Sequence, residues 1–270
     1  MKFGICNEMF KDWEWKEIVD YVAKLGYKGV EIAPFTFAED VNEISATKRA
    51  EILALAKQSN LEIIGLHWLL ASPKGLSISS PDKNLREKSI EYLKDLINFC
   101  ADLKGKLMVF GSPQQRNIAP SSTYEETYHY VRDGFLKILP LAKEKNVTIA
   151  LEPLTKKETN FITTAEDALR MIKEINHLNF KLHLDVKAMS GEEKPIPEII
   201  ESAKDYLVHV HANDPNLLGP GFGEVDYEPI KEALEKINYN QYLSVEVFDF
   251  SPGPKTIAEK SIEYLKKIFK

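Results

Sequence analysis

The chain has 270 residues, 44% hydrophobic and 28% charged, with 35 basic and 41 acidic side chains for a net charge of −6. This is ordinary for a folded chain with a sizeable core. The acidic balance disfavours nucleic-acid binding, whose affinity comes largely from neutralising phosphates. Cys6 and Cys100 are too few for a disulfide framework and lack metal-knuckle spacing, so they read as buried thiols of a reducing compartment. The opening "MKFGICNEMFKDWEWKE" has no apolar signal core, and no run approaches the ~18 apolar residues of a membrane span. The expectation is a soluble cytoplasmic protein with no membrane or nucleic-acid partner.

Short apolar runs alternate with longer amphipathic ones. "KFGIC" (2–6) predicts a first strand, followed by a helix in "EWKEIVDYVAKLG". "GVEIA" (29–33) leads to "ATKRAEILALAKQS", "LEIIGLH" (61–67) to "REKSIEYLKDLINFCADL", and "KLMVF" (106–110) to "YEETYHYVRDGFLKILPLAKEK". The second half repeats the theme. "VTIALE" (147–152) precedes "TAEDALRMIKEI", "FKLHLD" (180–185) precedes "IPEIIESAK", "LVHVH" (207–211) precedes "YEPIKEALEKI", and "YLSVEV" (242–247) precedes "KTIAEKSIEYLKKIF". Apolar residues recur in the helical runs at three- and four-residue spacing. Asparagines in "AKQSN", "AKEKN" and "EINHLN" stand where left-handed C-caps would end helices. Thr123 and Glu126 can form a capping box, and Asp226 with Pro229 suits another helix start. The Gly219–Gly223 loop is interrupted by Pro220 and does not match a phosphate-cradling signature.

Eight strand–helix units with short connections and no linker predict one domain over 1–270, a single (β/α)8 TIM barrel of the α/β class. A doubly wound sheet is the alternative topology.

In such a barrel, chemistry gathers at the C-terminal ends of the strands. Candidate strands five to eight end at Glu152 ("ALEP"), Asp185 ("HLDV"), His211 ("HVHA") and Glu246 ("SVEVF"). A single charged strand end often just begins a solvated loop. Three carboxylates on one rim, however, would raise one another's pKa unless a cation held them. An oxygen-rich set with one imidazole suits one divalent ion: Mn2+, Mg2+ or Co2+, with Zn2+ also compatible. His183 and His209 lie two residues earlier on their strands, one layer deeper, and are expected to hydrogen-bond to ligands rather than bind the ion.

The set "LEP", "HLD", "HAND", "GPGFGEVDY" and "VEVF", with the N-terminal "LGYKGVEI", resembles the xylose isomerase-like TIM-barrel superfamily, in its sugar isomerase/epimerase branch. The likeness spans the chain. It implies that Glu152, Asp185, His211 and Glu246 hold one divalent ion, and that Glu152 and Glu246 double as acid and base. A metal-polarised ketose carbonyl acidifies the neighbouring C–H, and proton transfer through an ene-diolate gives epimerisation or aldose–ketose isomerisation. Glu158 matches a substrate-hydroxyl contact of ketose 3-epimerases. Two positions depart from that pattern: Ala188 stands where a histidine is expected, and Leu217 with Leu218 where an arginine is expected. Lys187 or Arg116 is a candidate replacement for reading substrate, with a solvated loop charge as the alternative for each.

His67 and Trp68 are expected to line a sugar pocket, the indole stacking on C–H faces. Trp13 and Trp15 would close that pocket or pack a homo-oligomer. Endonuclease IV, a three-metal relative in the superfamily, is disfavoured by the missing histidine at "FGS", by Ala188 and by the acidic charge. The reading is therefore a metal-dependent sugar or keto-sugar isomerase/epimerase. A dehydratase of the inosose dehydratase type is the enzymatic alternative, and a non-catalytic sugar-binding barrel the other.

Overall fold

A computed structural model describes residues 1–270. The strands β1 (Lys2–Cys6), β2 (Gly29–Ile32), β3 (Glu62–Leu66), β4 (Leu107–Phe110), β5 (Thr148–Leu151), β6 (Phe180–Asp185), β7 (Leu207–Ala212) and β8 (Tyr242–Val245) form a closed parallel barrel in sequence order. Around it run α1 (Trp15–Leu25), α2 (Ala46–Gln58), α3 (Lys83–Asp102), α4 (Tyr124–Lys145), α5 (Ala165–Ile175), α6 (Val186–Met189), α7 (Ile196–Ser202), α8 (Glu228–Lys236) and α9 (Pro254–Ile268). The expected (β/α)8 barrel is what forms. Its strands are short apolar runs because a parallel sheet is covered on both faces.

Side-chain alternation divides the core in two. On β4, Met108 and Phe110 point outward, and Phe110 packs on Phe135 of α4 at 5.0 Å between centroids. Phe135 in turn meets Phe180 of β6 at 4.6 Å. Leu107 and Val109 point inward to a small cluster with Ile64, Ala150 and Tyr242 that plugs the barrel floor. The polar residues lie above that plug.

Helix punctuation follows the sequence closely. Thr123 Oγ1 accepts from Glu126 N at 3.2 Å while Glu126 Oε2 accepts from Thr123 N at 2.8 Å, completing the capping box. Asn146 and Asn176 end α4 and α5 in the left-handed region at φ 56° and 46°. Asp226 accepts from Glu228 N at 3.0 Å at the start of α8.

Three details differ from expectation. The third helix begins at Lys83 rather than Arg86, because Asp82 caps it by accepting from Asn84 N at 2.8 Å. The short helix α6 starts directly on Asp185, whose carboxylate supplies its N-cap. The connections are not uniformly short: those after β3 and after β7 run from His67 to Asp82 and from Asn213 to Tyr227. Both rise on the rim that carries the site.

Trp15 is buried against Phe37, with Nε1 donating to Ile52 O at 3.0 Å, and lies outside the cavity lined by Glu152 and Glu246. Trp13 packs on Phe10 and Tyr21. Phe135→Ala removes the aromatic link between barrel and helices and should cost about 3–5 kcal/mol. Urea unfolding should show a lower midpoint at unchanged slope; an unshifted midpoint would refute this packing.

Candidate active site

The four strand-end residues reach one place. Glu152 and Glu246 lie one residue beyond β5 and β8, Asp185 ends β6, and His211 sits opposite it on β7 in the sheet register. Donor atoms of Glu152, His183, Asp185 and His211 all fall within 4.8 Å of one another. Glu246 joins through His211, its Oε2 lying 2.9 Å from Nδ1.

The surroundings hold each ligand in place. Asp185 Oδ1 accepts from Ala188 N at 2.7 Å and Oδ2 from Asn213 Nδ2 at 2.5 Å. Asn213 is pinned in turn: its Oδ1 accepts from Lys187 N and its carbonyl from Tyr227 Oη, both at 2.8 Å. Glu152 packs against Gly111, where a Cβ would collide with the carboxylate. His211 Nε2 donates to Glu31 Oε2 at 3.2 Å, which leaves Nδ1 as the nitrogen free to hold a metal.

A metal fits this donor set. His211 Nδ1 is buried and makes no hydrogen bond, despite its 2.9 Å approach to a carboxylate oxygen. Donors bonded to one ion at about 2.1 Å and at right angles stand about 3 Å apart. Close, unaligned approach of this kind suits two co-ligands of one ion.

Electrostatics says the same. Burial, then the Glu246 and Asp185 charges, raise Glu152 well above the usual carboxylate range. Burial also raises Asp185. Burial would raise Glu246 too, but His211 and His67 hold it well below its ordinary value. Burial disfavours charge on His211, yet Glu246 and Glu31 raise it well above an ordinary imidazole. A bound metal would compete with a proton for His211.

The remaining candidates divide. His183 is closer to the ligands than expected: both its nitrogens lack hydrogen-bond partners, and Nε2 is 3.7 Å from Glu152 Oε1. His209 donates from Nε2 to Glu31 Oε1 at 2.7 Å, not to one of the four rim residues as the sequence suggested. Glu158 and Lys187 pair at 2.5 Å, with the ammonium 3.8 Å from the Phe248 ring centroid. Lys187 is thus a buried partner of Glu158, outside the cavity lining, rather than a solvated loop charge. Trp68 lines the cavity half-exposed, its Nε1 donating to Glu246 Oε1 at 3.0 Å. His67 lines it as well, but its nitrogens face Glu246 Oε1 at 3.2 Å and Glu8 Oε2 at 3.1 Å.

Arg116 corrects both of its sequence readings. It is fully buried, outside the cavity lining, and donates to the carbonyls of Glu152 at 2.6 Å and Ile162 at 3.2 Å. Burial lowers it to about 10, against the Glu152 and Glu158 charges. It clamps the backbone from which Glu152 projects.

Glu31, Glu8, Cys6 and Asn213 were missed. Asn213 stood within the "HAND" motif and Glu31 stood out as a carboxylate inside the apolar strand "GVEI", but the partners of neither could be read locally.

The cavity above these groups is about 290 Å3 and is lined by Glu152, Glu246, Glu158, His67, Trp68 and Phe248, among others. The family model described as xylose isomerase-like TIM barrel matches residues 19–268. The chain belongs to the xylose isomerase-like TIM-barrel family. Within that family it is similar to a D-psicose 3-epimerase of Ruminiclostridium cellulolyticum, 29% identical over 259 residues, covering 92% of this chain and 84% of the relative. A 3-dehydro-D-guloside 4-epimerase of Escherichia coli is 22% identical over 275 residues, covering 98% and 99%. The solved D-psicose 3-epimerase of Clostridium cellulolyticum H10 with D-tagatose superposes at TM-score 0.86, with 24% identity and full coverage of both chains. The crystal structure of a 3-keto-D-glucoside 4-epimerase from E. coli gives 0.86 at 21% identity, covering 99% of each. These superpositions carry the fold.

Because an ammonium cannot span two carbonyls, Arg116→Lys should cost about 2–4 kcal/mol of stability. A urea midpoint equal to the parent's would show that the clamp holds nothing.

Proposed function

We propose that this chain is a divalent-metal-dependent epimerase of a ketose or keto-sugar, with Glu152, Asp185, His211 and Glu246 as the ligand set. One observation carries the reading: Glu152 and Glu246, from strands on different sides of the rim, both line the same 290 Å3 cavity. Their environments also push them apart in acidity, Glu152 toward the acid and Glu246 toward the base. The relatives named above, being sugar epimerases, support the same class of reaction.

The bound ion supplies Lewis-acid polarisation of a carbonyl, which acidifies the adjacent C–H. Glu246, held by His67 and Trp68, takes the proton from that carbon. Glu152, held by Arg116 through its backbone, returns a proton to the opposite face. Reversing the roles runs the reaction backward. Trp68 and Phe248 offer apolar faces to the sugar's C–H groups, and Glu158, held by Lys187 behind it, offers a polar edge to its hydroxyls.

Glu→Gln retains shape and a ligating oxygen while removing the base. Each of Glu152→Gln and Glu246→Gln should bind substrate within about tenfold of the parent and lose about 10²–10⁴ in rate. In D2O, each variant should stop exchanging the C–H of one epimer only. Full exchange in both would end the two-carboxylate mechanism, and loss of water from substrate would point instead to a dehydratase.

Metal binding should displace the proton on His211, so affinity should fall as pH is lowered. Calorimetry with Mn2+ should give enthalpies that vary with buffer ionisation. Saturation at 100 times Kd should add about 2.7 kcal/mol of stability, and Asp185→Asn should abolish that gain. A melting temperature indifferent to both chelator and Mn2+ would count against the ligand set.

Free tagatose and fructose should be poor substrates, because Ala188 and Leu217 cannot hydrogen-bond a hydroxyl. Efficient turnover of either would show these departures to be immaterial.

A further inference from the structure

A second set of donor atoms lies on the other side of Glu246. Cys6 ends β1, Glu8 follows in the next loop, and His67 follows β3. One sulfur, one carboxylate oxygen and one imidazole nitrogen from these residues lie within 4.8 Å of one another. The residues are 0%, 6% and 1% exposed. Neither oxygen of Glu8 has a hydrogen-bond partner, and neither does His67 Nε2. Yet Oε2 and Nε2 are 3.1 Å apart. An in-plane hydrogen on Nε2 misses the oxygen. This is the same close, unaligned approach that His211 Nδ1 and Glu246 Oε2 make in the first donor set.

A buried carboxylate with both oxygens unpartnered is costly to keep. Comparison within the barrel sharpens the point. Cys6 also lies near Glu31 and His211, but each Glu31 oxygen already accepts from a histidine. Glu31 is satisfied and Glu8 is not. His67, moreover, is oriented like a ligating imidazole. Its Nδ1 is turned to Glu246 Oε1, which leaves Nε2 facing Glu8. Sulfur, nitrogen and oxygen from three residues make the donor set of a borderline-soft cation, with a fourth position open.

We propose that Cys6, Glu8 and His67 form a second metal site, suited to Zn2+ and linked through His67 to Glu246. Binding releases the Cys6 thiol proton to solvent and forms a metal–thiolate bond, with no change of oxidation state. Ions of different character would then stand on either side of Glu246, a softer one on the Cys6 side and an oxygen-preferring one on the Asp185 side.

The test titrates the full-length chain, stripped by chelator, with Co2+. It reads bound metal per chain and the near-ultraviolet sulfur-to-cobalt charge-transfer band. The parent should bind two ions and develop the band. Cys6→Ser should keep one ion and lose the band, and Asp185→Asn should keep the band and lose the other ion. Glu8→Gln, which leaves the thiol in place, should weaken the band-forming event at least tenfold and serves as the deciding variant if Cys6→Ser folds poorly. Zn2+ should displace Co2+ from the band-forming site in preference to Mn2+. A parent that binds only one ion, with the band and the ion both kept in Asp185→Asn, would support this site and count against the first ligand set. No band in the parent, or band formation unaltered by Glu8→Gln, would overturn the proposal. So would a single ion lost equally in Cys6→Ser and Asp185→Asn.

Discussion

Like charges crowded into a dry barrel mouth are the constraint around which the rest is arranged. Glu8, Glu31, Glu152, Asp185 and Glu246 are all buried there, and mutual repulsion in a poorly solvated space would expel or neutralise them. The fold meets this with fixed partners. Glu31 takes two histidine donors, Asp185 takes a backbone amide and the Asn213 amide, and Glu246 takes His67 and Trp68. Glu152 receives no such donor at its carboxylate. Its support comes from Arg116 gripping the carbonyl behind it. That difference leaves two glutamates of one cavity unlike in acidity.

The barrel supplies rigidity that loops alone would not. Asp185 and His211 are the last or next-to-last residues of paired strands, so their separation is set by strand register rather than by loop conformation. The cluster of Ile64, Leu107, Val109, Ala150 and Tyr242 packs the barrel beneath them.

How much was legible in the sequence follows from this geometry. Strand ends could be read from apolar runs, and a closed parallel barrel places strand ends on one rim, so Glu152, Asp185, His211 and Glu246 were accessible from spacing alone. Glu31 was not, because its histidine partners sit on β7, across the barrel from β2, and no local pattern records a contact through the interior. Arg116 looked like a loop charge for a related reason: its burial is decided by Glu152 and Ile162, which follow far along the chain. His67 was assigned to the pocket correctly, but its bridge between Glu8 and Glu246 depended on where the loop after β1 folds back. Short helix α6 was hidden because the residue that starts it, Asp185, had been counted only as a ligand.

The chain has three tryptophans, and they are unequally placed. Trp13 and Trp15 pack within aromatic clusters near α1, whereas Trp68 touches a ligand carboxylate and stands at the cavity mouth. An indole bonded to a carboxylate changes its emission when that carboxylate is drawn away or its surroundings dry out. The protein thus carries a built-in optical gauge of its own centre, read against two indoles that remain constant.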